Sequence, residues 1–211
     1  MFKDRKDAGK RLAERLARYR GKDAVVLTLP RGGVVVGYEV AKALRLPLDI
    51  VVARKVGHPA DPEYAICAVD EKGTLLCDKE AIVVDQQWLK KEIERQRKEA
   101  LRRVRTYRGE RKPEAIAGKI AILVDDGIAT GLTMRLAVAA VKAQHPSRIV
   151  VAVPVAPGSA VLEFRKEAEV VVGDGEAFRG SVGAHYEAFE QVGDSEVIRL
   201  LQTQSLATNT E

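Results

Sequence analysis

The chain has 211 residues, 46% hydrophobic and 31% charged, with a formal net charge of +5 at neutral pH. That composition fits one globular α/β unit over residues 1–211 and excludes a membrane protein, since no apolar run approaches the ~20 residues of a spanning helix. The charged N-terminus lacks the apolar centre of a signal peptide. Cys67 and Cys77 have no metal-type spacing, so a reducing, cytoplasmic setting with free thiols is expected.

Residues 4–19 read as an amphipathic helix with Ala8, Leu12, Leu16 and Tyr19 on one face, a packing or hood element. A strand follows over 24–29. It ends in Pro30-Arg31-Gly32-Gly33, a turn that starts a helix over 34–44. Arg31 brings a fixed charge, and Gly32 and Gly33 let backbone approach an anion. No Gly-Lys-Ser/Thr follows, so this is not a Walker loop. The next strand, 48–53, ends in Arg54-Lys55, paired cations suited to a pyrophosphate.

Residues 56–80 read as a mobile loop built as a hairpin. Residues 57–62 are irregular, and 66–70 and 74–78 pair across the turn Glu71-Lys72-Gly73. In that register Cys67 faces Cys77. His58 and Glu63 are the residues of this loop that closure could bring to a ligand. Residues 85–112 hold eleven Lys/Arg and five Asp/Glu, so one segment carries the chain's excess charge. Leu89, Ile93, Gln96, Ala100, Val104 and Tyr107 fall at helical spacing and give a long basic helix with one apolar stripe. Such a helix can bind nucleic acid, pack in a dimer or face solvent.

The run Ile120-Ala121-Ile122-Leu123-Val124 reads as a strand buried on both faces. It stops at Asp125-Asp126 and passes through Gly127-Ile128-Ala129-Thr130-Gly131-Leu132-Thr133 into a helix bearing Met134, Ala137, Val138 and Val141. The N–H groups of residues 128–132, with the Thr130 and Thr133 hydroxyls, make a phosphate cradle at a helix N-terminus. Two carboxylates beside it would repel a bare phosphate. They suit the vicinal hydroxyls of a sugar and a hydrated Mg2+. A strand over 148–154, a helix over 160–168 and a strand over 169–172 complete five strands separated by helices, a doubly wound, mainly parallel sheet. Residues 174–192 form a hood segment in which Phe178 or Tyr186 stacks on a ring or serves as core or interface. Residues 203–211 should fray.

Four apolar residues, two acids, two variable residues and a small residue before Thr-Gly-x-Thr resemble the ribose-phosphate loop of the type I phosphoribosyltransferases. The whole pattern is similar to predicted bacterial and archaeal members with no assigned substrate. The resemblance implies a Mg2+-dependent transfer of the phosphoribosyl group of phosphoribosyl pyrophosphate (PRPP) to a nitrogenous base, with loss of pyrophosphate. It implies that Asp125 and Asp126 hold the ribose and residues 127–133 the 5-phosphate. Arg31, Gly32, Gly33, Arg54 and Lys55 would hold pyrophosphate, with a cis non-proline peptide in the turn at Arg31. A homodimer is also expected. Ala129 stands where 6-oxopurine transferases carry an acid, as it does in adenine enzymes, and Leu132 replaces a small or polar residue. Two alternatives stay open. One is a PRPP-sensing regulator that binds nucleic acid through 85–112. The other is a different nucleotide or sugar-phosphate enzyme on the same fold.

Overall fold

A computed structural model describes residues 1–173 and 178–208. In chain order the elements are α1 (Arg5–Arg15), β1 (Ala24–Thr28), α2 (Gly32–Leu44), β2 (Leu48–Ile50), β3 (Ala53–His58), β4 (Asp61–Asp70), β5 (Leu75–Cys77), α3 (Gln86–Arg108), β6 (Ile120–Val124), α4 (Leu132–Lys142), β7 (Arg148–Val153), α5 (Gly158–Phe164), β8 (Glu169–Val172) and α6 (Asp194–Thr208). Five of the strands form a parallel sheet in the order β2-β1-β6-β7-β8.

Strand alternation sorts the core into two layers. Val26, Ile122, Val124, Val150 and Ala152 face α1, α2 and α6. Val25, Leu27, Ala121, Leu123, Val151 and Val153 face α4 and α5. Strands covered on both faces need continuous apolar sequence, which is why β1, β6 and β7 carry it. The strand order turns between β1 and β6, the crevice where open parallel sheets take ligands. Thr28 lies opposite Val124 in register, so the loops after both strands leave the sheet at one level.

Several elements depart from the pattern read in the sequence. The strand expected over 48–53 leaves the main sheet after Ile50, and Ala53–His58 begins a second, antiparallel sheet in the order β3-β4-β5. Arg54 and Lys55 therefore lie inside a strand rather than at the end of one. Residues 57–62 are largely regular: only Pro59 and Ala60 separate β3 from β4. The second sheet lies between α3 and α4. Val56, Ile66, Cys67 and Val69 meet Leu89 and Trp88 on one side, and Ala53, Ala65, Ala68 and Leu76 meet Leu132 and Leu136 on the other. Cys67 and Cys77 face each other as the register requires, with Cα atoms 4.0 Å apart, and they form a disulfide rather than free thiols.

The long basic helix is present as α3. The N-terminal helix ends earlier than read, at Arg15, and a short 3-10 turn over Ala17–Tyr19 follows. The C-terminal stretch 203–208 is helical instead of frayed, because Leu200, Leu201 and Gln204 are buried and Gln204 Nε2 donates to Leu46 O at 3.0 Å. Residues 174–177 of the expected hood and 209–211 of the tail lie outside the described residues, and so does the side chain of Glu63. No helix among the described residues is long and apolar enough to cross a membrane.

Candidate active site

The two loops at the β1/β6 crevice are packed against each other. After β1 the chain turns through Pro30-Arg31, joined by a cis peptide bond, into Gly32 and Gly33 at the start of α2. A Cβ at Gly32 would collide with Asp126 Oδ2, and one at Gly33 would stand 2.8 Å from Asp125 Oδ1. The glycines thus let the turn back directly onto the acidic pair, a closer constraint than approach to an anion.

Asp125 and Asp126 follow β6 side by side, with Asp126 N–H donating to Asp125 Oδ1 at 2.8 Å. Burial pushes both carboxyls above the ordinary range. The charge of Asp126 drives Asp125 further up, while Arg5 partly offsets the rise at Asp126. Arg5 Nε donates to Asp126 Oδ2 at 2.7 Å, and the Tyr186 hydroxyl donates to the Asp126 carbonyl at 2.5 Å.

Past the acids, Gly131 takes φ +84° and starts α4, a left-handed conformation that suits glycine. Of the amides expected in the phosphate cradle, that of Ile128 is taken, donating to Val155 O at 2.9 Å. The N–H groups of residues 129–133 have no protein acceptor among the described residues, as at any uncapped helix start. The loop amides left without a protein acceptor are therefore those of Ala129 to Thr133. Leu132, 1% exposed, packs on Ala65 and Ala68 of β4 and uses its backbone alone at the loop.

Lys55, Ala65, residues 125–131, Thr133, Met134 and Val182 line one cleft of about 320 Å3. Lys55 is the basic residue that β3 brings to it. Arg54, its neighbour, faces the other side of the sheet, where Nε and Nη2 share Gln96 Oε1 of α3 at 3.0 and 2.8 Å. Strand alternation separates the pair that adjacency in sequence joined. Burial, with Arg103 and Arg31 close by, lowers the Arg54 pKa to about 10. Arg31 is 3.6 Å from Asp194, at the start of α6. Arg31, in the Pro30 turn, and Arg54 thus form a cationic group with Arg103 next to the cleft that Lys55 lines.

Phe178 stacks on His185 at 5.3 Å. Tyr186 is 6% exposed, between Phe2 at 5.5 Å and Phe189 at 4.9 Å. Of the two roles open to Tyr186, core residue or ring for a base, the packing assigns it to the core.

Sequence reading missed Arg5 and Arg103. Arg103 is 8% exposed; its Nη1 donates to Pro30 O at 3.3 Å and its Nε to Glu99 at 2.8 Å. An arginine on the apolar side of a helical stripe was the available signal for Arg103, which lies three residues after Ala100. For Arg5, 121 residues from its partner, there was none.

A model of the phosphoribosyl transferase domain matches residues 2–187. Two Mycobacterium tuberculosis proteins, each named "Putative phosphoribosyl transferase", are 41% identical over 205 residues, which is 95% of this chain and 46% of theirs. The chain therefore spans about half the length of these curated relatives. The crystal structure of TT1426 from Thermus thermophilus is 44% identical, with a TM-score of 0.78, and the match covers 96% of this chain and 98% of that one. With the domain model spanning most of its length and the acidic loop seated at the β1/β6 crevice, this chain belongs to the phosphoribosyl transferase family.

Proposed function

We propose that this protein transfers the phosphoribosyl group of Mg2+-bound PRPP to a ring nitrogen of a base, releasing pyrophosphate. The observation that carries the reading is the contact of the Pro30–Gly33 turn with Asp125 and Asp126 at the crevice. One side of that contact suits a pyrophosphate and the other a ribose 5-phosphate.

In this reading the C1–O bond to pyrophosphate breaks, a C1–N bond forms, and the base nitrogen loses its proton to the departing pyrophosphate or solvent. The amides of residues 129–133 and the hydroxyls of Thr130 and Thr133 hold the 5-phosphate. Asp125 and Asp126 accept from the ribose hydroxyls and favour positive charge at C1 as the bond lengthens. Lys55 meets the leaving pyrophosphate from β3. The turn at Arg31, Gly32 and Gly33 meets it from β1, and Arg54 adds positive potential from behind. The described residues gather no three His, Cys, Asp or Glu side chains fit to hold a metal. The buried acid pair suits an ion that arrives with PRPP and meets it through water. Magnesium would supply charge to the departing pyrophosphate. With β3 to β5 packed between α3 and α4, closure of 56–80 over the cleft to exclude water falls to the turns between strands, at Pro59-Ala60 and residues 71–74. The cytoplasm, where PRPP and bases meet, is the fitting compartment.

The regulator alternative draws less support. Arg95, Arg97, Arg102 and Arg103 of α3 pair with Glu92, Glu94 and Glu99 on the same helix. Arg103 and Arg108 also turn into the fold. The test is pyrophosphate release from Mg2+–PRPP with purine, pyrimidine and pyridine bases supplied one at a time. Release with one class of base is expected. Tight PRPP binding with no release from any of them would favour the sensor.

A further inference from the structure

Arg5 has no part in the ribose-phosphate motif, yet it holds one of the motif's two acids directly. It stands at the first turn of α1, brought beside β6 by the packing of α1 on α2. Its Nε donates to Asp126 Oδ2 at 2.7 Å, and both side chains are largely buried. Its Nη1 donates to Glu190 O at 2.7 Å. Its guanidinium lies 3.7 Å from the centre of the Phe189 ring, a cation–π arrangement. The same Asp126 oxygen fills the space a Gly32 side chain would need, so the carboxylate lies directly against the start of α2. Tyr186, three residues before Phe189, bonds the Asp126 carbonyl.

Asp126 is thus held at its carboxylate and at its backbone by α1 and the segment over residues 186–190. A planar guanidinium, itself held by Glu190 O and the Phe189 ring, fixes the direction of the one hydrogen bond it gives Asp126 in a way a flexible ammonium does not. One carboxylate oxygen accepts from Arg5, and the Asp126 carboxyl also lies against that of Asp125. We infer that Arg5 is the positioning residue that orients Asp126 for the ribose hydroxyls and ties that orientation to the Tyr186–Glu190 segment. The inference rests on the proposed function, because it assigns Asp126 to ribose. Arg5 itself touches no substrate. It acts through Asp126.

The test is calorimetric titration of Mg2+–PRPP, and separately of inorganic phosphate, into the full chain and into Arg5→Gln, Arg5→Lys, Asp126→Asn and the Arg5→Gln/Asp126→Asn double variant. Loss of carboxylate orientation is expected to weaken PRPP roughly 10- to 100-fold in Arg5→Gln. Arg5→Lys, which keeps the charge without the planar guanidinium, should fall between. Phosphate, which needs only residues 129–133, should bind Arg5→Gln as it binds wild type, which separates lost orientation from a collapsed loop. The double variant should be no weaker than Asp126→Asn. Unchanged or tighter PRPP binding by Arg5→Gln would overturn the inference, the tighter case making Arg5 a competitor for Asp126. An equal loss of phosphate would overturn it as well. A wild-type protein that binds phosphate and not PRPP would instead sink the proposed function, and this inference with it.

Discussion

Asp49 on β2 and Arg108 at the last turn of α3 form a buried ion pair, with Nη2 3.2 Å from Oδ1. Asp49 also accepts from Ile50 N–H at 2.7 Å and from Glu114 N–H at 2.9 Å. One side chain thereby ties the edge of the main sheet to the end of α3 and to the segment leading into β6. Removing one partner of a buried pair leaves the other without compensation, at a cost of about 3 kcal/mol or more. Asp49→Ala should therefore lower the urea midpoint strongly, while PRPP affinity measured well below that midpoint stays close to wild type. A stability change under about 0.5 kcal/mol, the range of an ordinary surface site, would contradict this role.

The acidic pair should cost stability at neutral pH. Both carboxyls have folded-state pKa values above the ordinary one, chiefly through burial. Between the unfolded and the raised value the folded state binds more protons, so stability falls as pH rises through that window and stays lower above it. Asp125→Asn removes this penalty and can still accept from Asp126 N–H. Its melting temperature should exceed that of wild type at pH 7 and converge with it toward pH 4, while PRPP binding is lost. Parallel curves for the two proteins across that range would refute the assignment.

Leu132 couples the phosphate loop to the second sheet. Its side chain sits among Ala65, Ala68 and Leu136, and its amide is one of those the proposed function gives to the 5-phosphate. Leu132→Ala should cost about 2–5 kcal/mol by cavity formation. It should also weaken inorganic phosphate, since the start of α4 loses its support. A destabilised variant with unchanged phosphate affinity would show that the loop holds its shape without β4.

Lys55 and Arg54 should separate in kinetics, as they do in space. Lys55→Ala, in the cleft, is expected to lower pyrophosphate release by roughly 100-fold, the scale of one donor lost from a developing anion. Arg54→Ala, behind the turn, should lower it less and destabilise the fold more, since Gln96 then loses its buried partner. Equal effects on rate would put both at the leaving group.

Much of this arrangement was legible because its causes are local. Residues 120–124 are apolar and β-branched enough to demand a strand covered on both faces, and the loop that follows carries its own chemistry. The helix 86–108 announced itself by spacing. The break after Ile50 was hidden, since Val51, Val52 and Ala53 continue the apolar run into a different sheet. Separation of Arg54 from Lys55 follows from alternation only once β3 is known to pass between two helices. The loss of Ile128 N–H to Val155, the core position of Tyr186 and the clamp of Arg5 on Asp126 are contacts between distant segments, which no local pattern encodes. The helical tail was misread because its interior includes a glutamine, Gln204, whose amide finds the Leu46 carbonyl.

Whether the acidic loop is a PRPP site is decided by calorimetric titration of Mg2+–PRPP into wild type and into Asp125→Asn/Asp126→Asn. Saturable one-site binding in the micromolar range is predicted for wild type and none for the double variant, with inorganic phosphate still bound by both. Absence of PRPP binding to wild type, or equal binding to both proteins, would contradict the assignment.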